Sequence, residues 1–340
     1  METLHLAPAP PVSLAELTAY LRHPGPADEK PRRLPPRRDI FNDVINEALH
    51  AHFDSKTIRS IHYTINTYVL GFRAAKSGDF STARVEFARA DELLALLEQT
   101  HEPRVVAFLR CLTLPYQAYF SYRRGLFDEA DAQTYAAIAS IGGLEDQIAI
   151  FHIARVQQLH NLSRISFRRG EAAAGATLVH ELLRYLSAGT APALAGSWAP
   201  ALLDNTPAAL RADMFAQIFL EMVGNLAQLP EVAQRHHQFT LAFGELADQT
   251  VGLDFWPPYQ AWLTAYEALL TADEASYVPL LGAFLQLPGH AHDLLKLALL
   301  RELAGRRRAA AAAPDDLAAA LPTYARAMLW VSEPYLSLLA

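Results

Sequence analysis

The sequence predicts an all-α fold built from antiparallel helical hairpins. A glycine, an apolar residue two positions later and a small residue three positions further on recur in three segments, which begin at Gly78, Gly125 and Gly170. Elsewhere, apolar residues follow one another at spacings of three and four, the period of a helix with one buried face. No segment has the alternation or the Asn-Gly turn of paired strands. Repeated hairpins of this kind bury their apolar faces by stacking on one another.

The composition is that of a globular protein. Of 340 residues, 51% are hydrophobic and 19% are charged, and the formal net charge is −7. A negatively charged chain is poorly suited to nucleic acid as its main partner. No window holds 18 uncharged apolar residues, and residues 1–11 lack a basic start and a long apolar core. We therefore expect no membrane span and no signal peptide, and we predict a cytoplasmic protein.

The single cysteine, Cys111, cannot form a disulfide within the chain, which fits a reducing compartment. Its neighbours include Leu109, Leu112 and Leu114, so a small buried hydrophobe is favoured over a reactive nucleophile. The repeat register places it near the start of a helix.

Residues 1–38 are predicted to form a short helix followed by a proline- and arginine-rich arm. Ser13 and Glu16 have the spacing of a capping box that opens the helix. Five prolines and a glycine in residues 23–36 exclude regular helix there. The arm also carries five cations with no acid between them: Lys30, Arg32, Arg33, Arg37 and Arg38. A solvated tether is favoured over a basic contact for a partner or nucleic acid.

Residues 39–187 are predicted to hold one helix and then three hairpins. Asp39 and Asp54 stand where N-caps belong, directly before two apolar stripes. The predicted helices cover about 40–49, 55–77, 80–98, 104–124, 127–141, 145–169 and 171–186.

Residues 188–207 are rich in Ala, Gly, Pro, Ser and Thr without a clean period, which predicts a loop. Residues 208–340 then form a C-terminal helical region that continues the array. Its predicted helices cover about 208–229, 231–248, 259–271, 275–287, 290–303, 316–320 and 323–331. Trp256 and Trp262 lie beside a Pro-Pro turn and are interpreted as core rather than as a ligand cage.

The first hairpin resembles the tetratricopeptide repeat (TPR). The residues that match the pattern of this family are Gly71, Gly78, Asp79, Phe80, Ala83, Phe87 and Ala90. The second hairpin has Thr134 in place of the aromatic residue, and the third has Gly175 in place of the first alanine. The turn glycines lie 47 and 45 residues apart, beyond the family period of about 34. The resemblance covers residues 55–187 and implies a TPR-like α-solenoid with elongated helices in a right-handed superhelical array.

In this family the first helix of each hairpin lines a concave groove. The matching positions here would form a partner-binding site: Tyr68, Phe72, Lys76, Tyr119, Tyr122, Arg123, His160, Arg164 and Arg168. Aromatic rings and cations in a groove suit a peptide or protein partner with acidic residues or a free C-terminus. The alternative is that Lys76, Arg123 and Arg168 stabilise helix C-termini, and that the aromatic residues are core.

No motif indicates catalysis, a cofactor or a metal ion. The sequence lacks phosphate-binding glycine loops, a Gly-x-Ser-x-Gly elbow and His-Glu-x-x-His. His152 and His160 share a helix face without a carboxylate between them, and the 13 histidines are interpreted as scattered surface residues. Glu145 is interpreted as a helix cap.

The predicted function is therefore non-enzymatic: a scaffold or adaptor that binds a peptide or protein in the concave groove. The first alternative is a regulatory sensor, in which a bound peptide changes a second contact. The second alternative is an all-α enzyme with its site in the C-terminal half.

Overall fold

The computed structural model describes residues 11, 13–23, 40–145, 147–148, 150–194, 198, 200–248, 252–288, 290–309 and 316–328. These residues form fifteen α-helices and no β-strand, which confirms the all-α prediction. The basic arm and the Asp39 cap lie outside them. In chain order the helices are α1 (Leu14–Arg22), α2 (Ile40–His52), α3 (Ser55–Ser77), α4 (Phe80–Thr100), α5 (Pro103–Arg123), α6 (Phe127–Gly142), α7 (Ile150–Arg169), α8 (Ala172–Ala188), α9 (Pro200–Asp204), α10 (Ala208–Gln228), α11 (Val232–Phe243), α12 (Pro257–Thr271), α13 (Glu274–Leu285), α14 (Asp293–Ala309) and α15 (Asp316–Ala327).

The chain divides into two compact units. The hairpin unit is Arg37–Ile218, and the second unit combines Met1–Pro36 with Phe219–Ala340, so that the boundary falls inside α10. Within the second unit, α1 packs against α13 and α15.

The first hairpin begins and ends as its local sequence predicts. The carboxylate of Asp54 caps α3 by accepting from the backbone N–H groups two and three residues later. Gly78 ends α3 with φ at +87°, a left-handed conformation that is costly for a residue with a side chain. Gly125 and Gly170 repeat this geometry at the ends of α5 and α7. The three turns that carry the sequence repeat are therefore confirmed.

Small residues let α3 and α4 approach closely. A β-carbon added at Gly71 of α3 would lie 2.9 Å from the Phe87 ring of α4. Ala83 and Ala90 are fully buried in the same cluster. Gly71 and Phe87 lie about equally far along the chain from the turn between α3 and α4. Their close approach therefore shows that the two helices run antiparallel.

The later hairpins of this unit repeat the arrangement. α5 packs against α6 and α7 against α8, while α3 packs against α5 and α6 against α7. Gly175 of α8 would place a β-carbon 3.0 Å from the Phe167 ring of α7. The third hairpin thus keeps a glycine–aromatic contact, with the two residue types exchanged between its helices.

Enlarging Ala83 tests this packing. Ala83→Leu is expected to lower the free energy of unfolding by about 1–3 kcal/mol, because the added atoms must enter a filled contact between α3 and α4. The matched control is Ala88→Leu, at an exposed position of the same helix. Chemical denaturation of both variants gives the comparison, and equal midpoints would show that Ala83 does not lie in a tight contact.

Three local expectations for the hairpin unit are corrected. α7 begins at Ile150 rather than at residue 145, because Glu145 turns inward and pairs with Arg155 instead of capping the helix. The predicted loop after the third hairpin contains the short helix α9. Cys111 is buried as predicted, and burial raises the pKa of its thiol, but it lies in the middle of α5 rather than near a helix start.

The second unit has an aromatic core. Trp256 and Trp262 are buried, which confirms that they are core residues. Trp262 stacks on Tyr266 with ring centroids 4.8 Å apart, and its Nε1–H donates to the carbonyl of Leu295 at 2.9 Å. These contacts attach α12 to α14.

The last described helix of this unit differs from its prediction. The two short helices expected at 316–320 and 323–331 are one continuous helix, α15, over the described residues. Pro322 removes one hydrogen bond from the helical ladder without ending the helix. The hydroxyl of Tyr324 on α15 donates to the carbonyl of Leu285 at 2.9 Å, and that of Tyr20 on α1 donates to the same carbonyl at 3.2 Å.

A buried ion pair joins α11 to α14 in the second unit. Arg235 Nε lies 2.6 Å from Glu302 Oε2, and Arg235 Nη2 lies 3.3 Å from Oε1. The Nη1 group donates to the carbonyls of Leu229 and Pro230, and the Tyr266 hydroxyl donates to Glu302. Arg235 and Glu302 are only 3% and 2% exposed. The pair is therefore satisfied by hydrogen bonds on both sides.

Candidate functional site

Three aromatic side chains form the centre of the face that the sequence predicts as a binding site. Phe72 of α3 lies with its ring centroid 5.0 Å from that of Tyr116 and 5.0 Å from that of Tyr119, both on α5. All three rings are half-buried. The three rings pack against the hydrophobic cluster around Tyr68 and Phe87, and part of each ring remains at the surface.

Arg123 lies at one end of this row. Its guanidinium carbon is 5.7 Å from the centre of the Tyr119 ring, and its Nη1 donates to the Tyr119 hydroxyl at 2.8 Å. The same nitrogen donates to the backbone carbonyl of Lys76 at 3.3 Å. Tyr122 adds a fourth ring, 6.4 Å from Tyr119. Arg123 is exposed, and its contacts orient the guanidinium while leaving it open to a ligand. We call Phe72, Lys76, Tyr116, Tyr119, Tyr122 and Arg123 the aromatic–basic face.

Tyr68 does not belong to this face. It is 1% exposed, and its hydroxyl donates to Asp91 Oδ1 on α4 at 2.6 Å. Burial, followed by the hydrogen bond to Asp91, raises the pKa of Tyr68. Its burial agrees with the alternative interpretation of the sequence, in which the aromatic residues of the predicted site belong to the core.

The three predicted residues of α7 have different surroundings. His160 is 1% exposed and is therefore core, whereas Arg168 is exposed at the end of the helix. Arg164 is half-buried and donates to Asn161 Oδ1, one turn earlier, at 2.8 Å. α7 packs against α5, so Arg164 and Arg168 lie on a helix next to the aromatic–basic face.

A buried polar network between α7 and α8 was missed from the sequence. Glu145 pairs with Arg155, and His152 Nδ1 lies 3.5 Å from the second oxygen of Glu145. His152 Nε2 lies 2.5 Å from the Tyr185 hydroxyl, and burial raises the pKa of Tyr185 to about 12. Trp198 covers both rings, with centroids 5.6 Å from His152 and 4.9 Å from Tyr185.

This network corrects the interpretation of the histidines as scattered surface residues. His152 is fully buried, like His160. The available signal was that α7 carries polar residues around its whole circumference although it belongs to the third stacked hairpin. A helix flanked by neighbours on several sides must find partners within the protein for its polar groups.

A shallow cavity of about 300 Å³ lies where α4 ends and α5 begins. Pro103, Val106 and Ala107 form its apolar part, and Glu98 and Arg110 form an ion pair at its rim. Both charged side chains are exposed to solvent. None of the residues that line the cavity belongs to the aromatic–basic face.

Within the described parts of the chain, no three His, Cys, Asp or Glu side chains are grouped closely enough to hold a metal ion. Among the described helices, none has the length and apolar character needed to cross a membrane.

No protein-family model, curated protein or solved structure matches the chain. The class that the described residues define is therefore an all-helical protein of packed hairpins with an aromatic and basic face on α3 and α5.

Proposed function

We propose that the protein is a non-enzymatic, cytoplasmic scaffold or adaptor that binds an extended protein or peptide segment on the aromatic–basic face. We further propose that its hairpins form a right-handed, TPR-like superhelical array with this face on the concave side. The observation that carries the proposal is the row of half-buried rings at Phe72, Tyr116 and Tyr119 that ends at the exposed Arg123.

The chemistry of this face favours a partner with both apolar and acidic groups. Half-buried rings offer apolar area that a partner can cover without first ordering the side chains, and aromatic and Arg residues dominate binding energy at interfaces. A guanidinium held by Tyr119 is ready for a paired contact with a carboxylate. We propose that Arg164 and Arg168, on the neighbouring α7, extend this positive charge.

The Arg123→Ala, Arg168→Ala double variant tests this proposal. We expect the partner to bind at least about 2 kcal/mol, or roughly 30-fold, more weakly, because two cations that contact its carboxylates are lost. Both residues are exposed, so the fold should be unchanged. The matched control is Arg84→Ala with Arg89→Ala, two exposed arginines of α4.

The partner is captured from a lysate of the native host on the immobilised full-length protein and is then purified. Its affinity is measured by titration against the wild-type protein, the Arg123/Arg168 variant and the Arg84/Arg89 control. Equal affinity for the wild-type protein and the Arg123/Arg168 variant would overturn the aromatic–basic face as the binding site. Enrichment of a small molecule alone, with measurable turnover, would instead favour an enzyme.

A further inference from the structure

A second surface of α3 combines positive charge with exposed apolar side chains. Tyr63 and Leu70 are large apolar side chains in the middle of the helix and are 55% and 48% exposed. They lie seven residues apart, or two helical turns and about 10 Å along the axis, on one side of the helix. Arg59 and Arg73 are exposed on the same side, one at each end of this pair.

The charged side chains of α3 are all of one sign. The 23 residues of the helix contain Lys, Arg and His but no Asp or Glu, although the whole chain has a net charge of −7. Within the described part of the chain, neither Arg59 nor Arg73 forms an ion pair. The hairpin partner, α4, differs because it mixes both signs, with Arg84 and Arg89 among four acids. Among the described residues, therefore, no acidic side chain pairs with Arg59 or Arg73 on this side of α3.

This surface is distinct from the aromatic–basic face. Leu70 and Phe72 are two residues apart on α3, a spacing that directs side chains to different sides of a helix. Phe72 packs against Tyr116 of α5, whereas Leu70 is 48% exposed. A ligand on the aromatic–basic face would therefore leave Tyr63 and Leu70 uncovered.

We propose that the Arg59–Tyr63–Leu70–Arg73 surface is a docking site for an acidic amphipathic helix of a partner protein. Two apolar side chains of the partner, one heptad apart, would pack against Tyr63 and Leu70, as in other helix-on-helix contacts. Carboxylates that flank them would pair with Arg59 and Arg73. The inference is independent of the proposed function of the aromatic–basic face.

The same features disfavour the other ligands of basic surfaces. A nucleic acid would be repelled by the net charge of the chain and would leave Tyr63 and Leu70 without apolar partners. A membrane-surface helix needs a continuous apolar side, whereas the main apolar side of α3 is buried against α4 and α5. An acidic helix satisfies both the charge and the heptad spacing.

The probe is a pair of stapled helical peptides of about four turns with leucines at heptad spacing. One peptide carries Glu at the flanking positions and its twin carries Lys. Fluorescence anisotropy titrations use the full-length protein at low and at high salt. We expect the Glu peptide to bind about tenfold more tightly than the Lys peptide at low salt, with a smaller ratio at high salt.

Two variants locate the contact. Arg59→Glu with Arg73→Glu should reverse the preference between the peptides, whereas Arg84→Glu with Arg89→Glu, the same charge change on exposed positions of α4, should preserve it. Tyr63→Ser with Leu70→Ser should weaken binding of the Glu peptide at least about fivefold through the lost apolar contact.

Three results would overturn the proposal. The first is equal binding of the two peptides. The second is an equal response to the α3 and α4 charge reversals. The third is Arg59- and Arg73-dependent binding to phosphatidylserine vesicles or to an oligonucleotide, without discrimination between the peptides.

Discussion

Removing the carboxylate of Glu302 is expected to lower the free energy of unfolding by about 3–5 kcal/mol. Glu302→Ala leaves the Arg235 guanidinium buried without its counter-charge, and the Tyr266 hydroxyl loses its acceptor. Arg235 cannot escape the cost by losing its proton, because a guanidinium stays charged. The measurement is chemical denaturation of the full-length variant, followed by the helical circular dichroism signal.

Two controls separate the buried charge from the general effect of a lost ion pair. Glu98→Ala removes a partner of the exposed pair with Arg110 and should cost less than about 1 kcal/mol. Arg235→Met with Glu302→Leu replaces the buried pair by apolar side chains and should recover most of the loss. A Glu302→Ala cost as small as that of Glu98→Ala would mean that the Arg235 site is open to water.

Alkaline pH is expected to unfold the protein steeply, because buried tyrosines must keep their protons in the folded state. Desolvation by burial is the main cause of a raised pKa at five of them: Tyr68, Tyr185, Tyr266, Tyr277 and Tyr324. The pKa of Tyr185 rises to about 12.

Because the pKa is higher in the folded state, the unfolded chain releases protons first as pH rises through about 10. Stability is therefore unaffected by these groups below about pH 10 and falls above it, by up to about 1.4 kcal/mol per pH unit for each tyrosine.

Denaturation midpoints between about pH 8 and pH 11 measure this slope. Tyr185→Phe removes one of the five groups and should make the fall above about pH 10 shallower by up to about 1.4 kcal/mol per pH unit. It also lowers stability at neutral pH, since the contact with His152 is lost, so the slope and not the absolute stability is compared. Ionisation of all the tyrosines near pH 10, with the helices intact, would contradict the expectation.

The parts of the fold that depend on local chemistry were predictable from the sequence. α3 occupies the predicted residues 55–77 because Asp54 caps it and Gly78 ends it in a left-handed conformation. Both signals act within a few residues of the helix end. The repeated turn pattern likewise located the ends of α5 and α7.

The inward turn of Glu145 was not predictable in the same way. Its partner Arg155 lies on a helix that begins after it, and the pairing depends on how α7 packs among its neighbours. A local pattern cannot separate a capping glutamate from a buried one, because both precede a helix.

The candidate site was predictable in part. Phe72 and Arg123 lie together on the aromatic–basic face, as expected from matching positions in two hairpins. Tyr68, one turn before Phe72, is buried against α4 instead. Phe72 lies at the border between the buried and the exposed sides of α3, and positions one turn apart at such a border can fall on either side.

Hydrogen exchange of the full-length protein, alone and with the captured partner, tests the central claim most directly. Binding on the aromatic–basic face predicts slower exchange in the C-terminal turns of α3 and α5, around Lys76 and Arg123. It predicts no change in α4 and α6, the second helices of those hairpins. Protection confined to α4 and α6, or to helices of the second unit, would contradict the account.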